Sequence, residues 1–221
     1  MISATLDLGA SVLLLGPVRG LSTDARAVAE ALEAFRPEAV GAGIAAEELK
    51  GLVEYFVDGD AEPVVPLAAT ELSEVRGLCR FGEVRVPNPA FVQTLSWGRA
   101  RLVPVAALDP SEEETASMFT DHIGYVELVR RTVRENRLGR SPPTPSSADA
   151  FALEWDASIA GGRGSRRFAA ARDEVLVQGV QRLAGEHRRL AVVVDRERFA
   201  SVRARLAPEA PSARGGAEPR G

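Results

Sequence analysis

Leu190-Ala191-Val192-Val193-Val194 runs without a break into Asp195-Arg196-Glu197-Arg198, and this stretch decides the fold. An unbroken apolar run this short, flanked by charge, predicts a strand buried on both faces. The charged residues behind it open a helix that reaches Leu206. Val12 to Leu15 repeats the arrangement, running into Gly16-Pro17-Val18-Arg19-Gly20 and then a helical pattern. Strand-to-helix units of this kind build sheets covered on both sides, whose ligands sit beyond the carboxyl ends of the strands. The arginines that follow the two strands are therefore expected at the rim where function collects.

Working outward, Ala4 to Leu8 reads as a short edge strand, and Ser22 or Thr23 as the cap of a helix with Val28, Leu32 and Phe35 on one face. Pro37 ends that helix, and Ala39 to Ile44 is a second buried strand. Ala46 to Phe56 is helical, Val57 to Pro66 is a loop, and Thr70 is expected to cap the next helix. Cys79 falls in a helical pattern with Leu72, Val75 and Leu78, which predicts a small buried apolar group. Phe81 to Pro87 is irregular or a brief edge strand, and Asn88-Pro89 opens another helix.

Leu102 to Ala107 is the third strong strand, with Pro104 marking an edge or a bulge. Asp109-Pro110-Ser111-Glu112 is expected to form a capping box, and Tyr125, Val126, Val129 and Val133 mark a helix ending near Leu138. Gly139 to Ser147 is a linker, Phe151, Trp155 and Ile159 recur at helical spacing, and Gly161 to Gly164 is a hinge. Ser165 is expected to cap a long helix from Arg166 to Ala184, and from Ala207 the chain reads as a disordered tail. Alternating helices and short apolar strands predict an α/β domain over 1–206. Its central sheet is mainly parallel or mixed and flanked by helices, with a helical insertion at about 61–160 and a tail at 207–221.

The chain of 221 residues carries a formal net charge of −4, with a pI of about 5.4. Bulk charge therefore argues against nucleic-acid and anionic-membrane partners. Lys50 is the only lysine among the 27 basic residues. The single cysteine excludes an internal disulfide or thiolate metal cage. No signal-peptide pattern opens the chain, and no apolar run approaches the roughly 18 residues of a membrane span. A cytoplasmic protein is expected. His122 and His187 are the only histidines and neither falls at a strand end, so neither a zinc site nor a serine triad has material. An all-carboxylate magnesium site has no motif, and no cofactor or metal is expected.

Arg172 is the sharpest single residue. Phe168, Val175, Leu176, Val180 and Leu183 define the buried stripe of the long helix, and Arg172 projects within about ten degrees of its centre. A charge there requires a carboxylate, carbonyl or ligand partner. It serves either a structural ion pair locking helix to sheet or a guanidinium reaching the strand-end cleft. Arg19 stands before a helix N-terminus, where backbone amides favour an anion, although the spacing lacks a phosphate-loop motif. Asp195 reads as the cap of the final helix, Asp109 as a cap rather than a catalytic acid, and Glu154 and Asp156 as a polar helix flank.

Several segments follow a recognisable order. Gly16-Pro17-Val18-Arg19 follows the first strand, and Pro37-Glu38 leads to Gly43-Ile44-Ala45 with Glu47 and Glu48 behind. Arg172-Asp173 lies on a long helix, and Asp195-Arg196-Glu197-Arg198 follows the last strand. This order resembles the TraB/Tiki group, related to the erythromycin-esterase and ChaN folds, over the first 55 residues and from Ser165 to Leu206. The family carries Gly-Thr-x-His, Glu-Leu-Asp and Gly-x-Gly-His where this chain has the first, second and last of those segments. Tiki proteins look like metal-dependent proteases, and TraB-type members are implicated in peptide-pheromone shutdown. Both family histidines fall on arginines here and the first acid falls on glycine, so the resemblance implies the fold and the cleft with degenerate metal and catalytic motifs.

The expectation is a non-metal, non-catalytic TraB-like module that binds an anionic small molecule or a peptide carboxylate in an arginine-lined cleft. Arg19, Arg172 and Arg198 would supply donors, oriented by Asp173 or Asp195. The alternatives are a peptidase- or esterase-type hydrolase rebuilt around Glu47, Glu48, Asp195 and Glu197, and a structural partner or homo-oligomer using the inserted helices.

Overall fold

The computed structural model describes residues 1–57 and 67–207. Of the loop expected at Val57 to Pro66, Val57 instead ends a helix and 58–66 lie outside the described residues, as does the expected tail beyond Ala207. Five strands form one mixed sheet in the order β1-β2-β5-β3-β4: β1 Ile2–Asp7, β2 Ser11–Gly16, β3 Ala39–Ala42, β4 Val105–Ala107 and β5 Arg189–Val193. Only β1 runs antiparallel, joined to β2 by a hairpin in which Gly9 takes φ +78°. The other pairs are parallel, with Leu14 and Gly41 flanking Val192 in the centre. The α/β architecture is the one expected, and β4 falls inside the 61–160 stretch, which thus contributes an edge strand as well as helices.

Nine helices occur among the described residues: α1 Ser22–Phe35, α2 Ala46–Val57, α3 Ala69–Leu78, α4 Pro89–Arg101, α5 Glu112–His122, α6 Tyr125–Arg140, α7 Ala148–Ile159, α8 Arg163–Glu186 and α9 Arg196–Leu206. Alternation along the strands sorts the core into two layers. Val12, Leu14, Leu190, Val192 and Val194 pack with Leu176, Val180 of α8 and Phe199, Val202 of α9. Leu15, Val40, Ala191 and Val193 face the opposite way, onto Val28 and Leu32 of α1 and Phe91 and Leu95 of α4. Each such side chain contributes about 1.5–3 kcal/mol on leaving water.

A third apolar cluster stands apart from the sheet faces. Phe151 and Trp155 of α7, Leu78 of α3 and Leu138 of α6 close over Val18 and Leu21 of the β2–α1 connection. The rings of Phe151 and Trp155 stack with centroids 5.6 Å apart. Because that connection leaves the carboxyl end of β2, these helices lie against the rim of the sheet. Gly16 permits the close turn there, since a Cβ would come within 2.7 Å of the Phe199 ring.

Several helix starts differ from expectation. Leu21, not Ser22 or Thr23, is the α1 cap residue; the Ser22 amide donates to the Glu83 carbonyl, and buried Asp24 accepts from the Val18 amide. Ala68 precedes α3, and Glu71 rather than Thr70 meets its exposed amide. Ser111 with Glu114, not Asp109, forms the α5 box. The long helix begins at Arg163 and holds Ser165 inside its first turn. Glu127 of α6 satisfies the freed amides of Gly164 and Ser165 from outside. Asn88 opens α4 as expected, accepting from the Ala90 amide. β4 is shorter than expected because Leu102, at φ 55°, and Val103, whose amide donates to the Gly98 carbonyl, close the end of α4. Cys79 is exposed rather than buried, since it follows the last turn of α3.

Candidate functional site

The carboxyl ends of β2, β5, β3 and β4 deliver, in that order, the loops beginning at Pro17, Val194, Gly43 and Leu108. Two of these loops supply buried aspartates, Asp195 after β5 and Asp109 after β4. Asp173, one turn into the buried part of α8, adds a third. An unpaired carboxylate in such a place would be prohibitive. Three arginines meet them.

Arg19 donates from Nη2 to Asp195 at 2.6 Å. Arg198, on the first turn of α9, spans two acids: Nη1 to Asp109 at 2.8 Å and Nε to Asp173 at 2.9 Å. Arg172 donates from Nη2 to the other oxygen of Asp109. Asn88 closes the far side of Asp195, donating from Nδ2 at 3.2 Å. Arg19, Arg172, Asp173, Asp195 and Arg198 thus come to one end of the sheet. They form two adjoining groups: Arg19–Asp195–Asn88, and Arg172–Asp109–Arg198–Asp173. Both groups are anchored to the β5–α9 turn.

Asp195 is the first residue outside α9, but its carboxylate bonds Arg19 and Asn88 and makes no cap hydrogen bond. Asp109 is likewise an ion-pair acceptor rather than a cap, because Ser111 already fills that role. Arg172 does find a carboxylate, so the requirement for a partner was sound. It is not sealed, however; 32% of its side chain remains accessible. Nε of Arg172 and Nη2 of Arg198 are buried and find no acceptor among the described residues.

Arg19 keeps 54% of its side-chain surface accessible, so its pair with Asp195 is open to water on one side. The Asp195 carboxylate raises its pKa and holds it as a cation. Burial works against the Arg198 cation, but Asp109 and Asp173 outweigh that effect and its pKa is raised.

Four further carboxyls feel the field of Arg19. Glu48 of α2, Glu74 of α3 and Asp156 of α7 are each pushed upward by burial, with Arg19 pulling them back. Glu197 is pushed up to about 8, by burial and then by the neighbouring Asp195. Three guanidiniums are matched by three buried aspartates, and the further titratable groups around Arg19 are carboxyls. Glu47, exposed like Glu48 on the first turn of α2, joins none of these interactions. Glu154 and Asp156 both lie on the exposed flank of α7, as expected, and of the two it is Asp156 that feels Arg19.

Asn88, Glu74 and Asp109 were not among the expected site residues. Asn88 carried a cap signal that concealed its second role, and Asp109 stood at a strand end, the one hint available. Two open depressions lie elsewhere. One of about 530 Å³ borders Asp7, Ser11 and Arg188 at the opposite end of β2. The other, about 370 Å³, lies between Arg26 of α1 and the Glu83–Gln93 segment. The second holds the exposed Arg85–Glu83 ion pair, and neither contains any of the strand-end arginines or aspartates. Among the described residues, no group of three His, Cys, Asp or Glu is arranged to hold a metal ion, and no helix is long and apolar enough to cross a membrane. Compared with known proteins, the chain matches no family model and no curated protein.

Proposed function

We propose that this chain is a TraB-like cytoplasmic module that binds, without turning over, a small molecule or peptide end in its strand-end cleft. The carrying observation is Arg19, whose guanidinium is held by Asp195 on one side and remains open to water on the other. An accessible, pre-oriented guanidinium takes a carboxylate or phosphate oxygen with little loss of freedom. The acidic surround sets the rest of the ligand. Glu48, Glu74 and Asp156 would repel a multiply charged anion but hold an ammonium group. A dipolar ligand such as an amino acid or a peptide end satisfies both walls, and is favoured over a purely anionic one.

The test is calorimetric titration of the protein with free amino acids, short peptides and simple carboxylates. Binding of dipolar ligands that disappears in Arg19→Met, at unchanged melting temperature, supports the proposal. Stoichiometric metal in the purified protein would sink it.

A second reading is a hydrolase with a rebuilt carboxylate site. Glu197 favours it, because a carboxyl titrating near 8 holds a proton at neutral pH and can donate it to a leaving group. Turnover of ester or peptide substrates that Glu197→Gln abolishes would decide for this second reading.

A further inference from the structure

Helix α6 turns its apolar side away from the protein. Tyr125, Val126, Val129 and Val133 are exposed over 80, 62, 46 and 62% of their surface. At about 100° per residue they lie within roughly 60° of one another's centre, on Val129, while buried Leu138 lies directly opposite. An apolar face two turns long, contiguous and uncovered, is the signature of an interaction surface. The stripe is edged by charge. Arg130 and Arg137 fall about 80–100° to one side of Val129, and Arg140 continues its line at the C-terminal end. Among the described residues none of these three arginines makes an ion pair, although Arg131 beside them pairs with Glu135.

We infer that the outward face of α6 is the docking site for an acidic amphipathic helix of a partner protein. Apolar residues of that helix would cover Val126, Val129 and Val133, and its flanking carboxylates would meet Arg130, Arg137 and Arg140. A second copy fits less well. In an antiparallel pair a twofold axis perpendicular to α6 leaves both arginine edges on the same side, so Arg130 and Arg137 would confront their own copies; in a parallel pair they would face the edge with Leu128 and Thr132, whose one acid, Glu135, is already paired with Arg131. The acidic outward face of α5, with Glu113, Ser117 and Asp121, offers only the small Ala116 to cover the valines. An anionic membrane fits less well. Short valines reach less deeply than the Trp, Phe and Leu of interfacial helices, and the chain carries a net charge of −4.

The test uses the full chain and a fluorescein-labelled synthetic helix with leucines along one face and glutamates on both sides. Fluorescence anisotropy should show saturable binding that weakens as salt rises. Val129→Glu should weaken it by at least about tenfold. The double variant Arg130→Glu, Arg137→Glu alters only exposed, unpaired groups and should do the same, so a folding defect in one variant leaves the other decisive. Equal binding by the parent chain and both variants overturns the inference, as does no saturable binding by the parent chain. Co-sedimentation with phosphatidylserine vesicles that Val129→Glu abolishes would assign the face to a membrane and also overturn it.

Discussion

Asp109 accepts a hydrogen bond from Nη1 of Arg198 at 2.8 Å, which ties the end of β4 to the first turn of α9 across the open end of the sheet. The same carboxylate receives Arg172 of α8. One acid therefore neutralises charge from two helices, and its removal leaves two cations competing for Asp173. Asp109→Ala is expected to cost about 3–5 kcal/mol, the usual penalty for stranding a buried charge. Urea titration followed by circular dichroism measures it. A loss below about 1 kcal/mol would show that the network is solvated rather than structural.

Arg172→Leu should be far milder. Asp109 retains Arg198, and Arg172 is one-third accessible already. The expected cost is at most about 1 kcal/mol, or about 2–4 °C in melting temperature for a chain of this size. Ligand affinity, if Arg172 contributes to the cleft, falls by more than stability does. Parallel melting and calorimetry on the variant separate the two effects.

Glu197 gives the protein a pH dependence of predictable sign. Its folded pKa, about 8, lies above the ordinary 4.5, so the folded state keeps a proton that the unfolded state releases. Stability conferred by this group is present below pH 4.5 and is lost as pH rises toward 8, by at most about 1.4 kcal/mol per unit. Melting temperatures recorded across this window should fall in the parent chain. Glu197→Gln should flatten the curve, and an identical slope in the variant would exclude Glu197 as its source.

Gly77 faces the Phe151 ring so closely that an added Cβ would sit 2.3 Å from its Cζ. Gly77→Ala improves helix propensity in α3 by about 1 kcal/mol. The ring, fully buried and stacked on Trp155, has little room to yield. Overpacking costs of about 1–3 kcal/mol should dominate. A net destabilisation by thermal melting is expected, and a stabilised variant would mean that the α3–α7 contact yields readily.

Glu127 accepts from the amides of Gly164 and Ser165 and from the Ser165 hydroxyl, and these bonds hold its pKa below the usual carboxylate range. Glu127→Ala should free the first turn of α8. Amide hydrogen exchange at Gly164 and Ser165 should accelerate while the centre of α8 around Val180 stays protected.

The buried strands were legible because their signal is local. Val12 to Leu15 and Leu190 to Val194 announce burial on both faces through composition alone. Arg172 was legible through its angle on α8, which demanded a partner without naming one. That partner, Asp109, lies 63 residues away, and no periodicity links the two. The helix caps misled for the same reason. Short polar side chains such as Asp195 and Ser165 carry a local cap signal, but distant groups claimed them once the chain had folded. The stripe on α6 was read correctly as helical, yet amphipathic spacing does not say whether the apolar side faces inward. The gathering of carboxyls around Arg19 was invisible because Glu48, Glu74, Asp156 and Glu197 come from four different helices.

The position of β5 governs how the molecule can be made. It is the central strand, hydrogen-bonded to β2 on one side and β3 on the other, yet it is translated after every other strand. Until residues 189–193 emerge from the ribosome, β1-β2 and β3-β4 are separate pairs with unsatisfied inner edges. Nascent chains must therefore wait for their closing segment, exposed to chaperones and proteases, and Asp195, Glu197 and Arg198 arrive with it in the same late step.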